Sequence, residues 1–121
     1  MRILVVDDSS TMRRIIINTL GKLGYKECHE AANGREGVEH LARTPVDMII
    51  TDWNMPEMTG VEFIRAVRAN EATKHLPVLM VTTNAAEDDI VEAMRAGVNN
   101  YVVKPFTPDT IREKIEAALK G

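Results

Sequence analysis

Three stretches of this chain, residues 3–6, 48–51 and 78–81, are apolar or β-branched at almost every position rather than at alternate ones. Alternation marks a sheet with one wet face. An unbroken apolar run marks a strand covered on both faces, as in a parallel sheet between two layers of helices. Parallel neighbours need a crossover of a dozen or more residues, and the segments between the runs carry helical periodicity.

The first such segment follows Ser9 and Ser10, both good caps, places Met12, Ile15, Ile16, Leu20 and Leu23 near a 3.6 period, and ends at Gly24. A second starts after Asn33 with Glu36 three residues on, buries Val38 and Leu41, and is closed by Thr44-Pro45. The third opens on Thr59-x-x-Glu62 and turns Phe63, Ile64 and Val67 inward. The fourth spans about residues 85–96, with Ile90 and Met94 inward and Gly97 as its stop. The last has Thr107 as cap, Pro108 at the first helical position, and Ile111, Ile115 and Ala118 on one face. Two more strands fall at 27–31 and 100–103. The first of these mixes Glu27, Cys28, His29 and Glu30, a composition suited to a sheet edge. The expected fold is a doubly wound α/β sandwich: a five-stranded parallel sheet of order 2-1-3-4-5, flanked by five helices.

A chain of 121 residues fits one domain, and 1–121 is expected to be a single domain with no output domain. No apolar run approaches the roughly 20 residues of a membrane helix, and the start lacks a signal peptide. The single cysteine, Cys28, reads as packing and cannot pair internally. A cytoplasmic monomer, not bound to membrane, is expected. The net charge of −3 gives no broad basic surface for nucleic acid. Asp7, Asp8 and Asp52 alone account for it, so the negative charge is concentrated where strands end.

Asp7 and Asp8 follow the first strand, Asp52 the third, Thr82 the fourth and Lys104 the fifth. In doubly wound sheets ligands bind outside these carboxyl ends, where the strand order reverses. Clustered carboxylates raise one another's pKa, and a hard divalent cation relieves the repulsion. Oxygen ligands with open positions favour magnesium. With such a cation on one side and Lys104 on the other, an incoming phosphoryl group is neutralised from two directions, and Thr82 can donate a hydrogen bond to it. Asp52, nearest the middle of the sheet, is the expected nucleophile, forming an acyl phosphate.

The residues Asp7-Asp8, Asp52-Trp53-Asn54-Met55-Pro56, Val81-Thr82 and Tyr101-Val102-Val103-Lys104-Pro105-Phe106 resemble the signature of two-component receiver domains, and within them the stand-alone chemotaxis regulators. The likeness covers essentially the whole chain. It implies that Asp52 takes a phosphoryl group from a phosphohistidine on a sensor histidine kinase. Asp8, Asp52 and the backbone carbonyl of Asn54 would hold Mg2+, with Asp7 helping through water. Lys104, beside a cis bond to Pro105, would contact the phosphoryl group, and Thr82 and Tyr101 would act as the switch. The output surface would comprise Ala85, Glu87, Ile90, Tyr101, Val103, Phe106 and Lys114, offered to a flagellar motor switch protein or another output partner. A separate phosphatase could serve the same site.

Some positions depart from the enteric pattern. Thr83 stands where many receivers have alanine or glycine, Asn84 replaces an acid, and Ser9 replaces an aromatic residue. With Asn54, these would tune the phosphoryl lifetime. The alternatives are a phosphorelay or other non-chemotactic receiver, and an aspartate-nucleophile phosphatase. A phosphatase would want an acid where Asn54 stands. A flavin carrier would need a phosphate-binding loop where Asp7-Asp8 stand. Among the remaining residues, Trp53 is expected to cover the pocket mouth, and Glu87-Asp88-Asp89 to complement a helix N-terminus. Arg13 and Arg14 read as a solvated basic face. His29, His40 and His75 share no ligand spacing, which argues against a histidine metal site.

Overall fold

The computed structural model describes residues 1–53, 55, 57–83 and 86–120. Its elements run β1 (Arg2–Val6), α1 (Ser10–Lys22), β2 (Glu27–Ala31), α2 (Gly34–Arg43), β3 (Met48–Asp52), α3 (Gly60–Ala69), β4 (Val78–Thr82), α4 (Glu87–Ala96), β5 (Asn100–Val103) and α5 (Pro108–Lys120). All strand pairs are parallel, in the order β2-β1-β3-β4-β5. This is the expected architecture, and burial explains it. Each apolar side chain of β1, β3 or β4 placed at a sheet edge would forfeit part of the roughly 1.5–3 kcal/mol it gains by full burial. Polar β2 forfeits little, so it takes the edge.

Alternate strand residues feed two cores. Leu4, Val6, Ile49, Val78 and Met80 join Phe63, Ile64, Val67 and Ala93 beneath α2, α3 and α4. Ile3, Val5, Met48, Ile50, Leu79, Val81 and Val102 join Ile16, Leu20, Ile111 and Ile115 beneath α1 and α5. The caps act as the residue types suggest. Ser9 Oγ accepts from the Met12 amide, and Asn33 Oδ1 from the Glu36 amide. Thr59 and Glu62 form a reciprocal capping box. Thr107 Oγ1 accepts from the Thr110 amide. Gly97, with φ of 116°, ends α4 in the left-handed region that glycine favours.

Three expected inward residues face solvent instead: Ile15, Val38 and Met94 are 45%, 37% and 45% exposed. The cause lies in the neighbours. A Cβ at Gly37 would sit 2.8 Å from the Phe63 ring and 3.4 Å from Val6. Helix α2 therefore approaches Phe63 and the sheet through Gly37, with Gly34 against Met58, which turns Val38 outward and leaves Leu41 half-buried. In α4 the small Ala93 faces the core and Met94, one position on, does not. In α1 the buried stripe is Ile16, Thr19 and Leu20. Helix α4 is described from Glu87, and Ala85 lies outside the described residues. Strands β3 and β4 each run one residue further than expected, to Asp52 and Thr82.

Candidate functional site

Strand register builds the site. Val6 pairs with Thr51, Asp52 with Val81, and Thr82 with Val103. Asp7, Asp52, Thr82 and Lys104 therefore arrive together at the carboxyl ends of four adjacent strands. The backbone holds the rim: the Asp7 amide donates to Ala31 O, and the Lys104 amide to Thr82 O at 2.7 Å.

Asp7, Asp8 and Asp52 each present a carboxylate oxygen within 4.8 Å of the others. Asp7 is buried, Asp8 exposed and Asp52 half-buried, so the cluster opens to solvent on one side. Lys104 Nζ lies 3.3 Å from Asp7 Oδ2 and 3.6 Å from Asp52 Oδ1. The peptide bond between Lys104 and Pro105 is cis, as the family likeness implied. Asp7 Oδ1 accepts from the Ser9 amide at 2.9 Å, and Asp52 Oδ1 from the Trp53 amide at 2.8 Å. No described residue donates to Asp52 Oδ2.

Burial pushes the Asp52 carboxyl above its ordinary value; Lys104 pulls it back, and Asp7 and Asp8 push it further up. Desolvation and like charge thus outweigh one ammonium. The donor set, three carboxylates with open positions, fits a hard divalent cation such as Mg2+. Asn54 and Asn84 lie outside the described residues.

The loop after β3 is tight. A Cβ on Gly60 would collide with the Asp52 carbonyl oxygen and stand 3.0 Å from Trp53 Cα, so only glycine lets α3 begin this close. The Gly60 amide donates to Trp53 O at 2.8 Å. Glu57, with φ of 67°, takes the left-handed turn that closes the loop.

Trp53 lines a cavity of about 10 Å³ with Met80, Thr82, Asp89, Ile90, Ala93 and Tyr101. That is about the space of one water. Thr82 is buried, Thr83 and Ser9 exposed, and Tyr101 half-buried with Lys114 Nζ 5.5 Å from its ring centroid. Glu87 is exposed, and Ile90, Val103, Phe106 and Lys114 are half-buried.

Sequence reasoning missed Arg13. Far from being a solvated face, its Nη1 donates to Asp7 O at 2.6 Å and its Nε to Glu30 Oε1 at 2.8 Å. It ties the first turn of α1 to the ends of β1 and β2. Nothing in the local sequence separates it from exposed Arg14, because the partners come from other strands.

Such a fold, with three carboxylates and a lysine at the carboxyl edge of its sheet, is that of a receiver-type signalling switch. The model of the response regulator receiver domain matches residues 3–116, and the chain belongs to that family. The chain is 57% identical over 116 residues to the chemotaxis protein CheY of Pseudomonas aeruginosa, covering 96% of this chain and 94% of that one. The crystal structure of the chemotaxis protein CheY4 of Vibrio cholerae superposes with a TM-score of 0.90 at 38% identity, covering 97% of both chains. The receiver domain of a Pseudomonas aeruginosa sensor histidine kinase, solved with a magnesium ion coordinated in its active-site cleft, superposes with a TM-score of 0.89 at 28% identity, covering 99% and 98%. Receivers are signalling switches rather than enzymes in the ordinary sense, and they bind magnesium at an acidic site. No helix among the described residues is long and apolar enough to cross a membrane.

Because Arg13 fixes the Asp7 backbone, Arg13→Ala is expected to weaken magnesium binding by about tenfold, in line with loss of an outer-shell support. Arg14→Ala should leave it unchanged. Magnesium titrations followed by Trp53 fluorescence check both, and equal affinities in the two variants would refute the clamp.

Proposed function

We propose that this chain is a chemotaxis response regulator that accepts a phosphoryl group on Asp52 and thereby changes its affinity for the flagellar motor switch. The observation that carries the reading is Asp52 itself. One carboxylate oxygen is held by Lys104 and the Trp53 amide, while Oδ2 has no described donor. The names of its relatives support the chemotactic circuit.

Asp52 Oδ2 attacks the phosphorus of a phosphohistidine on a sensor histidine kinase. The phosphorus–nitrogen bond breaks, its electron pair stays with the imidazole, and an acyl phosphate forms on Asp52. Asp7, Asp8, Asp52 and the Asn54 carbonyl would hold Mg2+, which supplies positive charge against the phosphoryl oxygens. Lys104 is already held beside Asp52 and neutralises the same group from the other side. Exposed Ser9 and Thr83, with Asn54 and Asn84, would set how readily water reaches the acyl phosphate.

Thr82 then turns its hydroxyl to a phosphoryl oxygen. The cavity beneath it holds no more than a water, so Tyr101 moves inward only into space that Thr82 vacates. Its departure from Lys114 remodels the surface of Glu87, Ile90, Tyr101, Val103, Phe106 and Lys114. Charge-assisted hydrogen bonds of about 1.5–3 kcal/mol each suffice for the roughly 5.5 kcal/mol of a full population reversal.

Incubation with magnesium and acetyl phosphate is the direct test. The expected result is a change in Trp53 fluorescence and a gain of one phosphoryl mass that maps to Asp52. A gain on another residue, or steady turnover of phosphomonoesters without retained mass, would contradict the proposal. The phosphorylated protein should bind a motor-switch peptide at least about tenfold tighter than the unmodified one. Equal binding would move the protein to another circuit.

A further inference from the structure

No periodic spacing joins His29 to His40, yet the fold seats one ring against the other. His29 lies on edge strand β2 and His40 in the last turn of α2. Their ring centroids are 4.9 Å apart with planes at 63°. The Nε2 atom of each is buried and has no hydrogen-bond partner among the described residues. Buried polar atoms are nearly always paired. An unpaired nitrogen inside such a contact is a poor place to add a charge.

The surrounding charges treat the two rings differently. Strand residues 27 and 29 share the face turned to α2, and Glu27 Oε2 lies 3.5 Å from His29 Nε2. Arg2, beside Glu27 in the sheet register, is engaged by Asp47 at 3.6 Å. Within α2, Arg43 stands one turn beyond His40, Glu39 is exposed, and Glu36, one turn before, accepts from the Ala32 amide. Helix α3 meets α2 through Phe63 at Gly37; its Glu62 caps Thr59, its Arg68 holds the Gly97 and Leu76 carbonyls, and its Arg65 is exposed. A proton on His29 therefore meets an acid, whereas a proton on His40 meets His29 and Arg43. Burial first, then His29 and Arg43, lowers the proton affinity of His40. Once this edge opens, His40 regains its ordinary value near 6.5. The opened form then binds more protons, so the closed contact is at full strength above that value and weakens as pH falls from it towards the lowered one.

We infer that His29 and His40 form a pH-sensitive latch on the edge of the sheet: neutral, the rings seal α2 onto β2, and in mild acid the contact opens and loosens the end of β2 that supports Asp7. The route is short. Two residues beyond His29, Ala31 O accepts from the Asp7 amide at 3.1 Å. Between them Glu30 Oε1 holds Arg13, whose Nη1 donates to Asp7 O. The consequence, which rests on the reading of the aspartates as a magnesium site, is a metal affinity that falls in acid by more than carboxylate protonation alone would cause.

Amide hydrogen exchange of the metal-free protein, corrected for intrinsic rates, tests the latch at about pH 7.5 and about pH 5.5, on either side of the ordinary histidine value. In the wild type, protection of β2, α2 and the Asp7 amide is expected to fall several-fold in acid relative to β3. In His40→Gln that extra fall should disappear. Circular dichroism establishes that the variant is folded; if it is not, His29→Gln takes its place. Wild-type protection of β2 and α2 that tracks β3 at both pH values, or an acid opening that persists in the variant, would overturn the latch. Opening that spares the Asp7 amide would overturn its link to the aspartates. Magnesium titrations at the same two pH values separate the two readings. Affinity should fall several-fold more in the wild type than in His40→Gln, and equal falls would overturn the link. Absence of magnesium binding at either pH would instead overturn the magnesium site, with the exchange data still deciding the latch.

Discussion

Asp52→Asn is expected to abolish phosphoryl uptake and the Trp53 response to phosphodonor. In the absence of divalent ions it should also raise thermal stability at neutral pH. Both effects follow from the same carboxylate. Asparagine has no nucleophilic oxygen anion, so the loss of uptake should be complete. The folded protein holds Asp52 above its ordinary value near 3.8 because burial and the neighbouring acids outweigh Lys104.

A raised carboxyl pKa costs stability in a definite window. Below the ordinary value both folded and unfolded chains are protonated, and nothing is lost. As pH rises, the unfolded chain ionises first, and stability falls until the folded group ionises as well. Above that pH the penalty is constant. Asparagine removes it, so the variant should be more stable than wild type at pH 7 and melt at a higher temperature. The gain should vanish in acid. Magnesium should narrow it from the other side by stabilising the wild type, which retains all three carboxylates. Melting curves at several pH values, with and without magnesium, decide the matter. An Asp52→Asn protein less stable than wild type at pH 7 without metal would mean that the attraction to Lys104 dominates.

Arg68→Ala is expected to cost about 2–3 kcal/mol, the upper part of the ordinary range for a single substitution, because it breaks a part-buried hydrogen-bond network. The Arg68 guanidinium closes the opposite end of the sheet from the aspartates. Its Nε and Nη2 donate to Gly97 O at 3.1 and 2.7 Å, its Nη1 to Leu76 O at 2.6 Å and Lys74 O at 2.8 Å, and its Nη2 also to Asn99 Oδ1 at 3.0 Å. Asn99 Oδ1 in turn accepts from the Val78 amide, the first residue of β4. One side chain thereby joins α3, the entrance to β4 and the loop before β5. Burial lowers the pKa of Arg68, so desolvation already works against its charge. Removing the guanidinium leaves several carbonyls without their donor. Arg68→Lys should recover only part of the loss, because one ammonium cannot reproduce the planar fork. Urea unfolding measures both, and a change under about 1 kcal/mol for Arg68→Ala would show that water replaces the clamp.

The strands of the core were legible because burial on both faces leaves a local trace. Residues 3–6, 48–51 and 78–81 cannot sit at a wet edge, and Glu27–Ala31 can. Caps were legible for the same reason. Ser9, Asn33, Thr59 and Thr107 each bond within three residues of themselves. The site acids were legible because each ends an apolar run, and parallel strands bring such ends together.

Helix faces were less so. Period alone placed Val38 and Met94 inward, but Gly37 against Phe63 and Ala93 against the sheet decide how α2 and α4 are rotated. The chain by itself determined the sheet, its order, the caps and the place where acids, threonine and lysine converge, since these depend on local composition and on the direction of parallel strands. Only the tertiary structure decided that Arg13 clamps Asp7, that Arg68 ties three segments, and that His29 meets His40. Each of those contacts joins residues whose separation along the chain carries no periodic signal, and only packing in three dimensions makes them neighbours.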